Sequence, residues 1–191
     1  MSGRQGLIAT IISLFLVCGL VLLARVLVQP QTALIDGIKI EGNAAFIERT
    51  RGALNLLKSS CRDAYPDLVK NVLKIEQHER SGADVWKRCI QVGRRTSEYS
   101  LTWYASSLVH DGRHISQYND YLNAYPNKTV PPEVYSGQDA ELACMRVQID
   151  ALERMNAPAH ELDWARKQDG NFADTDKDGK YDKKDYRKRD W

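Results

Sequence analysis

The sequence predicts a mainly α-helical fold, with α+β as the alternative, and three observations carry that reading. Apolar residues recur at helical spacing across 44–60, 63–81, 101–122 and 137–155. Strand-like alternation is confined to short stretches, one around Ile38 and Ile40 and one over Val85–Val92. The chain of 191 residues is 43% hydrophobic and 27% charged, which excludes a disordered or low-complexity polymer. With 27 Lys+Arg against 25 Asp+Glu, the formal charge of +2 lacks the concentrated basic face that nucleic-acid binding needs.

In chain order, residues 1–29 come first. Leu7 to Ala24 carries no charge. As a helix it would span about 27 Å, close to the thickness of a bilayer core. This run predicts a transmembrane signal anchor, and with it a single-pass membrane protein whose body lies on the extracytoplasmic side. Secretion after signal cleavage is the alternative, although Ala24-Arg25-Val26-Leu27 makes a poor cleavage site. Residues 30–43 read as a linker with Pro30, Gly37 and Gly42, in which Ile38 and Ile40 fit one short strand. Residues 44–168 read as a compact helical domain with a small strand element. Its longest helices are expected over 101–122 and 137–155, separated by a loop that holds Pro126, Pro131 and Pro132. Cys61, Cys89 and Cys144 allow one disulfide in an oxidising compartment, or three buried thiols.

The last stretch, 169–191, carries the densest chemistry. Asp174 to Asp185 reads DTDKDGKYDKKD. Asp174, Asp176 and Asp178 fall at loop positions 1, 3 and 5, and Gly179 falls at the sharp turn of position 6. Lys180 offers a backbone carbonyl at position 7, and Asp182 and Asp185 follow at positions 9 and 12. Calcium takes six to eight hard oxygens, and this alternation supplies them. The stretch resembles the calcium loop of EF-hands, and more closely the dockerin-type variant with Asp at position 12. A dockerin carries two such loops and this chain shows one, so the resemblance implies a structural Ca2+ site and not cohesin binding.

A second constellation lies in the 101–122 helix, at His110-Asp111-Gly112-Arg113-His114. Histidines at i and i+4 share one helix face, the spacing at which two imidazoles can reach one zinc ion. Asp111 could orient a water and take its proton. Glu141, near the start of the following helix, is the candidate third ligand. The arrangement resembles the zincin metallopeptidases, in the branch that takes its third ligand, a Glu, from a following helix. An uncharacterised bacterial group with LVHDxxHxxxY and GxxAExxC segments is also similar, at Leu108–Tyr118 and Gly137–Cys144. The resemblance implies Zn2+ held by His110, His114 and Glu141, with Asp111 as the general base. Zincins carry Glu where this chain has Asp111, a carboxylate one methylene shorter.

These features predict a membrane-anchored, calcium-binding protein with a zinc-dependent, peptidase-like hydrolase domain and a peptide substrate. The alternative is a non-catalytic calcium-binding protein, a pseudoenzyme or binding module, that docks a partner at the cell envelope.

Overall fold

The computed structural model describes residues 30–188. Five strands form one mixed sheet in the order β1-β2-β3-β5-β4. They are β1 (Gln31–Ile35), β2 (Ile38–Gly42), β3 (Lys74–His78), β4 (Gly82–Asp84) and β5 (Cys89–Gly93). Asp36 and Gly37 both adopt left-handed φ, 47° and 88°, the signature of a tight two-residue hairpin turn, and they return β1 into β2. β2, β3 and β5 run parallel, and β4 pairs with β5 in the antiparallel sense at the sheet edge. Register aligns Ile40 with Ile75 and Ile75 with Ile90, so three fully buried isoleucines form a row across the sheet. Each such burial is worth roughly 1.5–3 kcal/mol.

Seven α-helices complete the described fold. They are α1 (Ala44–Ser60), α2 (Ala64–Asn71), α3 (Arg94–Glu98), α4 (Leu101–Ala124), α5 (Gln138–Arg154), α6 (Ala159–Arg166) and α7 (Lys183–Lys188). α1 and α2 form the crossover from β2 to its parallel neighbour β3. Asn43 opens α1 by accepting the Phe46 N–H at 2.8 Å, and Ser100 opens α4 by accepting the Trp103 N–H at 2.9 Å. α4 is the central helix. It packs against α1, α2 and strands β4 and β5, and also against α5. Ser106 meets Gln148 and His114 meets Glu141, so α4 and α5 run antiparallel.

Three expectations are corrected here. The fold is α+β and not mainly α. Val72, Leu73 and Ile75 continue the apolar spacing of the preceding helix, but α2 ends at Asn71 and Lys74–His78 becomes a sheet strand. Short apolar runs do not separate helix from strand by periodicity alone. The expected linker likewise supplies β1 and β2.

The transmembrane helix, and the single-pass membrane placement built on it, are corrected too. Among the described residues no helix is long and apolar enough to cross a membrane. α4 has the length, but it carries Asp111, Arg113 and Asp120. The expected span at residues 7–24 lies outside the described residues.

The EF-hand is the third. α6 ends at Arg166 and the acidic loop begins only at Asp174, with turns between, so no helix leads into the loop.

Candidate metal centre

One cleft of about 830 Å3 brings β4, α4, α5, α6 and the C-terminal segment around the histidine pair. On α4, Trp103, Ser107, His110 and His114 line it at intervals of four, three and four residues, a single helical face. Asp111 and Glu141 line it as well.

Glu141 stands between the two imidazoles. Its Oε2 lies 3.2 Å from His110 Nε2 and 3.6 Å from His114 Nε2. All three side chains are nearly buried, at 6% exposure for Glu141, 12% for His110 and 10% for His114. His114 Nδ1 meets the Tyr135 carbonyl at 2.9 Å, so Nδ1 carries a proton and fixes the ring with Nε2 toward Glu141. His110 Nδ1 is buried and makes no hydrogen bond. Burial alone would raise the Glu141 pKa, but the neighbouring His114 and His110 outweigh it and hold the carboxyl well below its usual range. Burial likewise works against protonated His114, yet Cys144 and Glu141 beside it push its pKa well above the ordinary value. The cluster therefore favours an anionic Glu141 facing imidazole nitrogens.

Cys144 belongs to the same cluster. Its ligand atom and those of His110 and His114 lie within 4.8 Å of one another. The thiol is fully buried and donates to Gln117 Oε1 at 3.7 Å; burial raises its pKa and His114 pulls it partly back. The sequence reading put no ligand role on Cys144. The signal was present, because position 144 is i+3 from Glu141 and so shares its helix face. Cys61, Cys89 and Cys144 are all buried free thiols, so the expected disulfide is absent among the described residues.

The acidic loop is organised differently. Asp174 Oδ2 accepts the Gly179 N–H at 2.9 Å and its Oδ1 the Asp178 N–H at 3.2 Å. Gly179 adopts φ 78°, as a sharp turn at position 6 requires. Asp185 is buried and its Oδ1 accepts Thr175 N and Oγ1, at 2.8 and 3.0 Å, while Oδ2 accepts Asp182 N at 3.0 Å. Burial raises the Asp185 pKa, but these bonds prevail and hold it below its ordinary value. Asp174, Asp176 and Asp185 converge, and Asp176 Oδ1 is buried without a hydrogen bond. Asp178 and Asp182 are not in that group. Asp178 accepts the Lys180 N–H and Asp182 the Lys184 N–H. Three of the six expected loop positions are thus brought together.

Two tyrosines of α4 are structural. Tyr104 is fully buried with its hydroxyl 2.7 Å from Thr50 Oγ1, and Tyr118 packs edge-on against Tyr135. Functional reading of the sequence missed Glu161 and the aromatic residues around it, which line the same cleft. No protein-family model matches the chain, and neither curated proteins nor solved structures give a match.

Proposed function

We propose that the protein is a zinc-dependent hydrolase of extended peptides, with His110, His114 and Glu141 as the metal ligands. The carrying observation is the placement of Glu141 Oε2 at 3.2 and 3.6 Å from the two Nε2 atoms. Zinc–nitrogen and zinc–oxygen bonds of about 2.0–2.1 Å in a tetrahedron place neighbouring ligand atoms about 3.3 Å apart. Glu141 Oε2 already stands near that separation from both imidazole nitrogens, and the Tyr135 carbonyl pre-orients His114.

Zinc at such a site supplies Lewis acidity and a water that ionises near neutral pH. The chain's own residues do the rest. Asp111, one residue from His110 and on the cleft wall, takes a proton from the attacking water and returns it to the leaving amine. β4 forms the edge of the sheet, and its residues Gly82 and Ala83 line the cleft. An edge strand accepts an extended chain through backbone hydrogen bonds, which supports a peptide as substrate. The acidic loop is assigned a calcium ion because the carboxylates of Asp174, Asp176 and Asp185 converge there and Asp176 Oδ1 is buried without a donor, while its Oδ2 pairs with Lys188 Nζ at 3.3 Å.

Cys144 favours a second reading. A thiolate joining the two histidines and Glu141 would close the coordination sphere and make the metal structural. Metal analysis of the purified full chain tests the primary assignment. About one zinc per chain is expected, falling well below one in His114→Ala and in Glu141→Ala. Full zinc retention by Glu141→Ala would remove Glu141 from the ligand set.

A further inference from the structure

We propose that Tyr99, Trp103, His160 and Trp164 form a cage over the carboxylate of Glu161 that binds the cationic side chain of a lysine or arginine in the substrate. As a substrate subsite it rests on the hydrolase reading; as a cation site it does not.

Glu161 sits in the first turn of α6 and is 1% exposed, yet it borders the cleft. Its Oε1 accepts the Ser100 hydroxyl at 2.6 Å and its Oε2 the Thr102 hydroxyl at 2.7 Å. Both donors are neutral, and no salt bridge to Glu161 forms among the described residues. A buried carboxylate held only by neutral donors keeps most of its desolvation cost, and a cationic group is what offsets it.

The surroundings suit such a group. Trp103 and Trp164 meet edge to face at 5.1 Å, with an interplanar angle of 82°. Tyr99 stands across from Trp103 at 6.1 Å and from His160 at 6.3 Å, both near perpendicular. Edge-to-face packing holds these rings as one rim on the cleft wall that Glu161 shares, and aromatic rings gathered beside a carboxylate suit an ammonium or guanidinium group. Sequence spacing explains the convergence. His160, Glu161 and Trp164 cluster on α6, while Tyr99, Ser100, Thr102 and Trp103 cluster where α4 begins. Tyr99 and Trp164 are 59% and 45% exposed, so the rim reaches solvent although the carboxylate does not.

Position ties the cage to the metal cluster. Trp103 is seven residues before His110 on the same face of α4, about 10.5 Å along the helix axis. Phe172 bridges the two, with its ring 6.1 Å from Trp164 and 6.2 Å from His110. That span is about three extended residues, or one residue plus a long side chain. The cage therefore reads a residue close to the bond that is cut.

The test titrates the full chain with N-acetyl-lysine amide, N-acetyl-arginine amide and the neutral N-acetyl-norleucine amide, read by calorimetry and tryptophan fluorescence. Saturable binding is expected for a cationic probe, with at least about tenfold weaker binding of the norleucine amide. Glu161→Gln removes the charge but can still pair with both hydroxyls, and is expected to weaken the cationic probe about tenfold or more while leaving norleucine amide unchanged. Should that variant lose thermal stability, Trp164→Leu, at an exposed position, is expected to show the same selective loss. Equal affinity for charged and neutral probes overturns the proposal, and so does unchanged lysine and arginine amide binding in a folded Glu161→Gln or Trp164→Leu. Zinc content is measured on the same samples. Failure of the hydrolase reading appears there without altering the titrations, and failure of the cage leaves zinc content as it was.

Discussion

The two candidate metal sites of this chain are built on opposite plans. His110, His114 and Glu141 project from two long antiparallel helices and are nearly buried before any ion arrives. Their desolvation is met by the folding of the α4–α5 pair. Asp174, Asp176 and Asp185 lie within one 12-residue loop, where backbone N–H groups of the same loop hold the Asp174 and Asp185 carboxylates and Lys188 Nζ meets Asp176 Oδ2 at 3.3 Å. The first plan gives geometry that the rest of the domain enforces, suited to chemistry. The second gives a local clamp, suited to fixing a segment. The first two variants below should each damage one region and spare the other, and the last two sharpen how the first region is built.

The largest effect is expected at Asp111. Asp111→Asn should lower peptide hydrolysis by about 10²–10⁴-fold while zinc content stays at the wild-type level, because a base and not a ligand is removed. Peptide-library cleavage with parallel metal analysis measures both. If the variant cleaves as well as wild type, Asp111 is not the base. If wild type itself cleaves nothing in a zinc-dependent way, the hydrolase reading fails and the closed structural site gains.

Next in size is the loop. Asp174→Asn together with Asp185→Asn should abolish the heat of calcium binding, for which a Kd of about micromolar to millimolar is expected. Zinc stoichiometry should not change. A double variant that still takes up calcium would show that the convergent carboxylates hold no ion.

Cys144→Ser sharpens the distinction between an open and a closed zinc centre. An open centre keeps its zinc and its activity in this variant, because the thiol stays behind the ligand set. A closed centre loses a strong ligand, and zinc affinity should fall by about 10–100-fold or more. Competition with a chromogenic chelator reads the difference.

The two regions also differ in how much the sequence disclosed. The acidic loop is legible because all its candidate ligands fall within twelve residues, but which three of the five carboxylates converge is not, since Asp178 and Asp182 accept local backbone N–H groups just as Asp174 and Asp185 do. The histidine pair is legible from i,i+4 spacing. Glu141 required the expectation that a proline-containing loop would fold α5 back on α4, and His114 and Glu141 do meet. Cys144 was overlooked because a thiol one helical turn from Glu141 reads as a core residue. Glu161 was invisible, since its partners Ser100 and Thr102 lie about sixty positions away and no local pattern marks them. The sheet was underestimated for a related reason. Strands of three to five residues carry too few positions for periodicity to identify, and β3 continues the apolar pattern of the helix before it.

The smallest effect concerns Gly112, an unexpected residue inside the helix that carries both His110 and His114. α4 runs unbroken through it, and a Cβ at this position would come within 2.5 Å of Leu68 Cδ1 and 3.7 Å of Val72 Cγ2. The glycine lets α2 approach α4 closely just between His110 and His114. Gly112→Ala sets two terms against each other. Helix propensity returns about 1 kcal/mol. Crowding a packed interior costs about 1–3 kcal/mol. Leu68 is 2% exposed and has little room to turn aside, so crowding should win and the melting temperature should fall by a few degrees, about 1 kcal/mol in all. An unchanged or higher melting temperature would mean that Leu68 yields freely. Zinc measured on the same variant then separates the two helix contacts. Retention alongside lower stability places the centre's geometry in the α4–α5 pair, whereas joint loss means that the approach of α2 also sets the spacing of the histidines.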